Sequence, residues 1–323
     1  MPSRRGFTLI ELLVAMVVLT IVAAAMYGLL LSTQRVSRAQ TERIDMQANM
    51  RAGSLIVPAE LREIGFDTTF APGAGPVFRA NPGSIDHVRS DILEMSPSRI
   101  RFRAVRGSGV ICQVTPNSIT VSLTQNVSGY RLPTPNDDVT IFVDRDVTTG
   151  ADDRWITRDI VGYAASGCPG PLWPGLGALV VVASFSNGAT DPVNAADITV
   201  GSPARITELM EYSLYVDADG RNYLGAESIS GGGGRQPVLG PLAANGFNLQ
   251  YLNSAGNVIN CANPCNGTGV GSADLAARRA VRSIRVTLAS VSDENVAQTG
   301  GSTPRQLTDS VVTLVTLRNA VYR

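Results

Sequence analysis

The chain has 323 residues, with 27 basic and 27 acidic side chains, four cysteines and one histidine. Zero net charge weighs against a general nucleic-acid binder, which would usually be strongly basic. All the basic residues are arginine, which excludes Schiff-base and P-loop lysine chemistry, and a lone His87 leaves little room for a histidine triad or histidine-rich metal site.

The first element is an apolar run from Phe7 to Leu31, in which only Glu11 carries a charge. As a helix it would extend roughly 37 Å, enough to cross a hydrocarbon core of about 30 Å. Met1-Pro2-Ser3-Arg4-Arg5-Gly6 precedes it, and the two arginines favour keeping that end in the cytoplasm. Arg35, Arg38 and Arg43 on the far side weaken that inference. A secretory signal cut near Ala23-Ala24-Ala25 and a plain membrane anchor both fit the apolarity. Neither explains Glu11, because a carboxylate in hydrocarbon is costly and implies a partner.

Residues Gly6-Phe7-Thr8-Leu9-Ile10-Glu11-Leu12-Leu13-Val14-Ala15-Met16 resemble the type IV prepilin signal shared by pilins and type II secretion pseudopilins. The resemblance implies cleavage after Gly6 by a membrane prepilin peptidase, then N-methylation of Phe7 by the same class of enzyme. It also implies that the apolar helix stays attached, anchors the subunit and becomes filament core. Glu11 would then pair with the terminal amine of a neighbouring subunit. Opposite charges in an apolar core stabilise each other where each alone would be costly.

Beyond Leu31 the chain turns polar, but Val36, Ala39, Met46, Met50, Val57, Leu61 and Ile64 recur at helical spacing. One helix is predicted from about Phe7 to about Ile64, ending at Gly65. Gly28 weakens it by about 1 kcal/mol relative to alanine, and Pro58 is expected to kink it. The segment Pro58-Ala59-Glu60-Leu61-Arg62-Glu63-Ile64-Gly65-Phe66 resembles the close of the first helix in PilW-type minor pilins and the related J-type pseudopilins.

From Phe66 onward the sequence reads as β. Alternation or short β-branched runs predict strands at 99–105, 118–123, 139–143, 155–161, 178–185, 209–216, 248–252, 283–289 and 310–317. Asp217-Ala218-Asp219-Gly220 predicts a hairpin between Tyr215 and Tyr223. Stretches 71–83, 165–177, 225–247 and 261–274 read as surface loops. The expected class is α+β: a long N-terminal helix packed on an antiparallel, pilin-like sheet domain. Its parts are a leader (1–6), a transmembrane or filament-core helix (7–31), an amphipathic helix half (32–65) and a periplasmic β-rich domain (66–323). The closing Leu317-Arg318-Asn319 resembles the end of PilW-type chains.

An oxidising periplasm would allow two disulfides. Of three possible pairings, Cys261–Cys265, around Asn263-Pro264, and Cys112–Cys168 are favoured. A zinc site on Cys261 and Cys265 would leave the tetrahedron half empty. Asp144, Asp146, Asp152 and Asp153 form a weak calcium candidate that lacks EF-hand spacing, so a solvated acidic turn is the preferred reading and no cofactor is expected. Arg99, Arg101 and Arg103 share a strand face. Phosphate contact is one reading, and a salt-bridged or solvated face is preferred. Gly267-Thr268-Gly269-Val270-Gly271 lacks the strand and lysine of a phosphate loop. No nucleophile–base constellation stands out, so neither an enzyme nor a small-molecule substrate is expected.

The resemblance therefore implies a minor pilin that primes assembly or tips the fibre. Its partners would be the major pilin, other minor pilins, the prepilin peptidase and an inner-membrane assembly platform. A J-type pseudopilin and a membrane-anchored β-domain adhesin stay open as alternatives. The adhesin would need neither cleavage after Gly6 nor a carboxylate at Glu11.

Overall fold

A single helix, α1 (Leu9–Arg62), governs the architecture. The computed structural model describes residues 8–64, 91–116, 118–123, 133–143, 154–168, 177–183, 195–267, 272–293, 295 and 305–317. The predicted termination at Gly65 falls just outside that set. The last helical residue is Arg62, and the Glu63 N–H closes the end on Glu60 and Leu61 carbonyls. Gly28 and Pro58 both lie within the helix, which continues through them.

Eleven strands follow among the described residues: β1 (Ile92–Met95), β2 (Arg99–Val114), β3 (Ile119–Leu123), β4 (Asp138–Val143), β5 (Arg154–Gly167), β6 (Gly177–Ala183), β7 (Pro203–Val216), β8 (Asn222–Ser228), β9 (Gln236–Leu252), β10 (Ser283–Val291) and β11 (Thr308–Thr316). A short helix, α2 (Ala273–Arg279), precedes β10. The sequence reading found nine strands. It missed β1, gave β8 only as the far side of a hairpin, and did not foresee α2. It also took 225–247 as loop, where β8 ends at Ser228 and β9 begins at Gln236.

Every strand pairing is antiparallel, and the ladder divides into two parts. β1, the first half of β2, the second half of β7, and β8 to β11 form an open sheet. The far half of β2 pairs with β3, which continues through β6, β5 and β4 to the near half of β7. β7 pairs back onto β2, so these six strands close into a small barrel. Closure leaves that part without an edge.

The two long strands pass from open sheet to barrel at a bulge. Val105 pairs with Thr207 and Gly107 with Ile206, so Arg106 is the extra residue. One inserted residue flips the pleat. Before it, Ile100, Phe102 and Ala104 are the buried side chains; beyond it, Ile111 is. The barrel interior holds Ile111, Ile119, Val121, Val139, Ile141, Val143, Ile160 and Ile206. The second core lies between the open sheet and α1, where Met50, Val57, Leu61 and Ile64 meet Phe102, Tyr212, Leu239, Phe247, Ile284 and Leu288.

The helix reaches the sheet through Gly53. A Cβ there would come within 2.5 Å of Leu239 Cδ2 and 3.1 Å of Leu288 Cδ1. Polar contacts fix the seating. Asn49 Nδ2 donates to the Gly240 carbonyl at 3.2 Å, and the Asp293 N–H donates to Glu42 at 2.9 Å. The Val105 N–H donates to the Glu63 carbonyl at 3.1 Å. At the bulge, Arg106 donates to Glu60 of α1 at 2.9 Å and to Glu208 of β7 at 2.7 Å. Burial opposes the Arg106 charge, but the two carboxylates prevail and hold its pKa above the ordinary value.

Candidate functional site at the head of the helix

The predicted stripe on α1 divides in space. Met46, Met50, Val57, Leu61 and Ile64 are buried, whereas Val36 is half exposed. Toward the N-terminus the helix meets nothing among the described residues. Leu9 is 79% exposed, Leu19 67% and Leu29 72%. This is the helix that is long and apolar enough to cross a membrane, and its most apolar 18-residue stretch has no residue buried. Such a surface is larger than a monomer in water usually exposes, and it fits a helix covered by lipid or by other subunits.

Glu11 stands at the head of this surface, on a face continued by Val14, Ala15, Val18, Leu19 and Val22. Thr8 is the N-cap in extended conformation, and its side chain accepts the Glu11 N–H. In return Glu11 Oε2 accepts the Thr8 N–H at 3.1 Å and the Thr8 hydroxyl at 3.1 Å. This reciprocal capping box satisfies two of the four N–H groups that a helix start leaves unpaired. The sequence reading missed Thr8, although Thr-x-x-Glu before an apolar run is the signal for such a cap. Both of these bonds fall on one carboxylate oxygen, so the geometry leaves Glu11 Oε1 for a donor from outside the helix. Gly6 and Phe7, the expected processing residues, lie outside the described residues.

The cysteines are joined as Cys112–Cys168 and Cys261–Cys265, the two pairings favoured from sequence. The first ties barrel strand β2 to the end of β5. The second closes a four-residue step beside α2, where Asp274 Oδ1 lies 3.4 Å from Cys261 Sγ. These two sulfurs and the Asp274 carboxylate lie within 4.8 Å of one another, but the sulfurs are bonded to each other rather than free thiolates. Buried Arg278 donates to the carbonyls of Cys265 at 3.1 Å and Gly267 at 2.9 Å, and burial lowers its pKa.

The arginine face of β2 is ion-paired. Arg99 meets Glu94, Arg101 meets Glu211 at 2.7 Å and Arg103 meets Asp138 at 2.6 Å. Each guanidinium has a carboxylate partner, in keeping with the salt-bridged reading. His87, the acidic group Asp144, Asp146, Asp152 and Asp153, and residues 268–271 lie outside the described residues. Gly267 itself donates its N–H to Asp274 at 2.9 Å.

Among known proteins, the family model for the prokaryotic N-terminal methylation motif matches residues 1–27. Neither a curated protein nor a solved structure matches the chain. The matched residues take in Gly6, Phe7, Thr8 and Glu11, and with the exposed apolar helix behind them they support a type IV pilin-like prepilin.

Proposed function

We propose that this chain is a minor pilin of the PilW type, a structural subunit that primes assembly of a type IV pilus or forms its tip. A prepilin peptidase would remove residues 1–6 and N-methylate Phe7. The single-pass helix would hold the subunit in the inner membrane with its β region in the periplasm, and assembly would carry it to the fibre. The observation behind this reading is one carboxylate in an otherwise uncharged apolar surface, directly after a prepilin-type junction. Two disulfides suit an oxidising compartment.

In the separate subunit Glu11 is held by its own cap. In a staggered stack, the amine of a neighbouring Phe7 approaches the oxygen that the cap leaves over. An amine–carboxylate pair in an apolar core then selects one axial register, as a buried polar residue does in a coiled coil.

Capping and charge pairing are separable. Glu11→Gln keeps an acceptor for Thr8 but has no charge, whereas Thr8→Val keeps the charge and loses the cap. The expected outcome is that Glu11→Gln is cleaved and anchored yet fails to enter sheared, purified pili, while Thr8→Val enters them. Incorporation of Glu11→Gln at the wild-type level would contradict the charge-pair mechanism. Wild-type protein absent from pili but present in a secretion pseudopilus would move the reading to a J-type pseudopilin.

A further inference from the structure

Among the described residues the open sheet has two outer strands, β1 and β11, and they are built differently. β1 is four residues long, shifts register between Ile92 and Glu94, and has Met95 closed off by two backbone bonds with Cys265, at 3.1 and 2.9 Å. Short length, a bulge and a covering segment are common protections of a sheet edge. β11 has none of them. It pairs with β10 over nine residues without a register shift, and it contains no proline, glycine or basic residue.

The phase of that ladder decides what the outer edge offers. The Leu317 N–H donates to the Arg282 carbonyl at 3.0 Å, and the Ser292 N–H donates to the Leu307 carbonyl at 2.9 Å. Odd-numbered residues from Leu307 to Leu317 therefore face β10, and the backbone groups of Ser310, Val312, Leu314 and Thr316 point away from it. The Ser310 N–H is taken by the Asp309 carboxylate at 2.8 Å. The N–H and C=O groups of Val312, Leu314 and Thr316 have no partner among the described residues. The side chains of the same three residues stand on the sheet face opposite α1, because Val311 and Val315 turn into the core beneath the helix. Val312 is 60% exposed and Leu314 55%.

Backbone and side chains together specify the partner. Donors and acceptors that alternate along an extended edge are matched by a second extended chain about 4.8 Å away. Val312 and Leu314 then call for apolar side chains at alternate positions of that chain. A second copy of this protein meets the backbone requirement but not the direction of the helix. Two β11 strands paired antiparallel are related by a two-fold axis perpendicular to the sheet, which sends their α1 helices in opposite directions. Copies anchored in one membrane could not form that pair.

We infer that β11 is a docking edge for an extended segment of another protein, which adds a strand along Ser310–Thr316 and lays apolar side chains beside Val312 and Leu314. Strand addition does not rest on the assembly reading, since a chain processed differently would present the same edge.

The probe is a synthetic peptide of alternating threonine and valine, as long as β11, with an arginine at each end. N-methylation at its threonines keeps it from stacking on itself. Amide exchange on the full chain in detergent is the readout. Without peptide, Val312, Leu314 and Thr316 should exchange fast while Val311, Thr313 and Val315 exchange slowly. With peptide, the first three should slow by about tenfold or more. The same peptide N-methylated at every residue should have no effect. Leu314→Pro removes one outward donor and leaves the bonds to β10, because an edge strand tolerates proline where its N–H faces solvent. It should weaken peptide binding about tenfold. Slow exchange at Val311, Thr313 and Val315 confirms that the variant is folded. Val312→Lys keeps every backbone group even if Leu314→Pro disturbs the ladder, and should weaken binding about threefold. Four results overturn the inference: edge amides already slow in the dilute free chain, slowing that follows protein concentration without peptide and so reports a second copy, no more slowing by the peptide than by its fully methylated form, or binding that survives both substitutions unchanged.

Discussion

The two halves of α1 are built alike and used differently. Both are helical without interruption, but between Met46 and Ile64 the buried side chains Met46, Met50, Val57, Leu61 and Ile64 face the β region, with α1 lying on β9, β10 and β11, while from Leu9 to Val36 the apolar side chains meet nothing among the described residues. The lower half has Gly53 and Asn49 to fit it to one sheet. As far as Leu31 the upper half is apolar on all sides, with one charge, Glu11, at its head. Folding of the subunit therefore rests on the second half. The first half is left for a membrane or for other subunits.

The largest effect that tests this division comes from truncating matched leucines. Leu61 is fully buried, so Leu61→Ala should cost the domain about 4 kcal/mol through lost burial and a residual cavity. Leu19→Ala should leave its unfolding midpoint unchanged. Denaturant titration of the full chain in detergent, followed by near-UV circular dichroism, compares them. Equal losses would mean that the upper half also packs within the subunit.

The contact between helix end and barrel should respond slightly less. Arg106→Met leaves Glu208 buried without its guanidinium, and a loss of about 3 kcal/mol is expected, the low end for breaking a buried pair because Glu60 is partly exposed. The same titration measures it. A loss below about 0.5 kcal/mol would reduce the pair to the level of a surface salt bridge.

The smallest effect lies at the head of the helix. Thr8→Ala removes the capping side chain and should destabilise the first turn by about 1 kcal/mol, without changing the midpoint of the β region. Amide exchange in residues 9–12 should quicken while exchange in β9 and β10 holds. Unchanged exchange at both places would show that the capping box does not hold the helix start.

The helix was legible in sequence because both of its signals are local: an unbroken apolar run, then a stripe with steps of three and four. The disulfide pairs were legible from loop length and Gly/Pro context. The barrel was not. Its closure depends on β7 pairing with both β2 and β4 at long range, and on a one-residue bulge at Arg106 that alternation alone cannot place. The first part of β9, before the predicted strand 248–252, was hidden for a different reason. Gly240, Pro241 and Gly246 look like loop residues, yet register shifts in the pairings with β8 and β10 accommodate them. The cap was present as Thr8-Leu9-Ile10-Glu11 and was overlooked because Glu11 already had a reading.

The account turns on what happens at Gly6. Mass spectrometry of the N-terminal peptide from protein extracted from its native membrane tests it directly. The result predicted is a mature terminus at N-methylated Phe7, with residues 1–6 absent. An intact Met1, or a terminus near Met26 left by an ordinary signal peptidase, would contradict it.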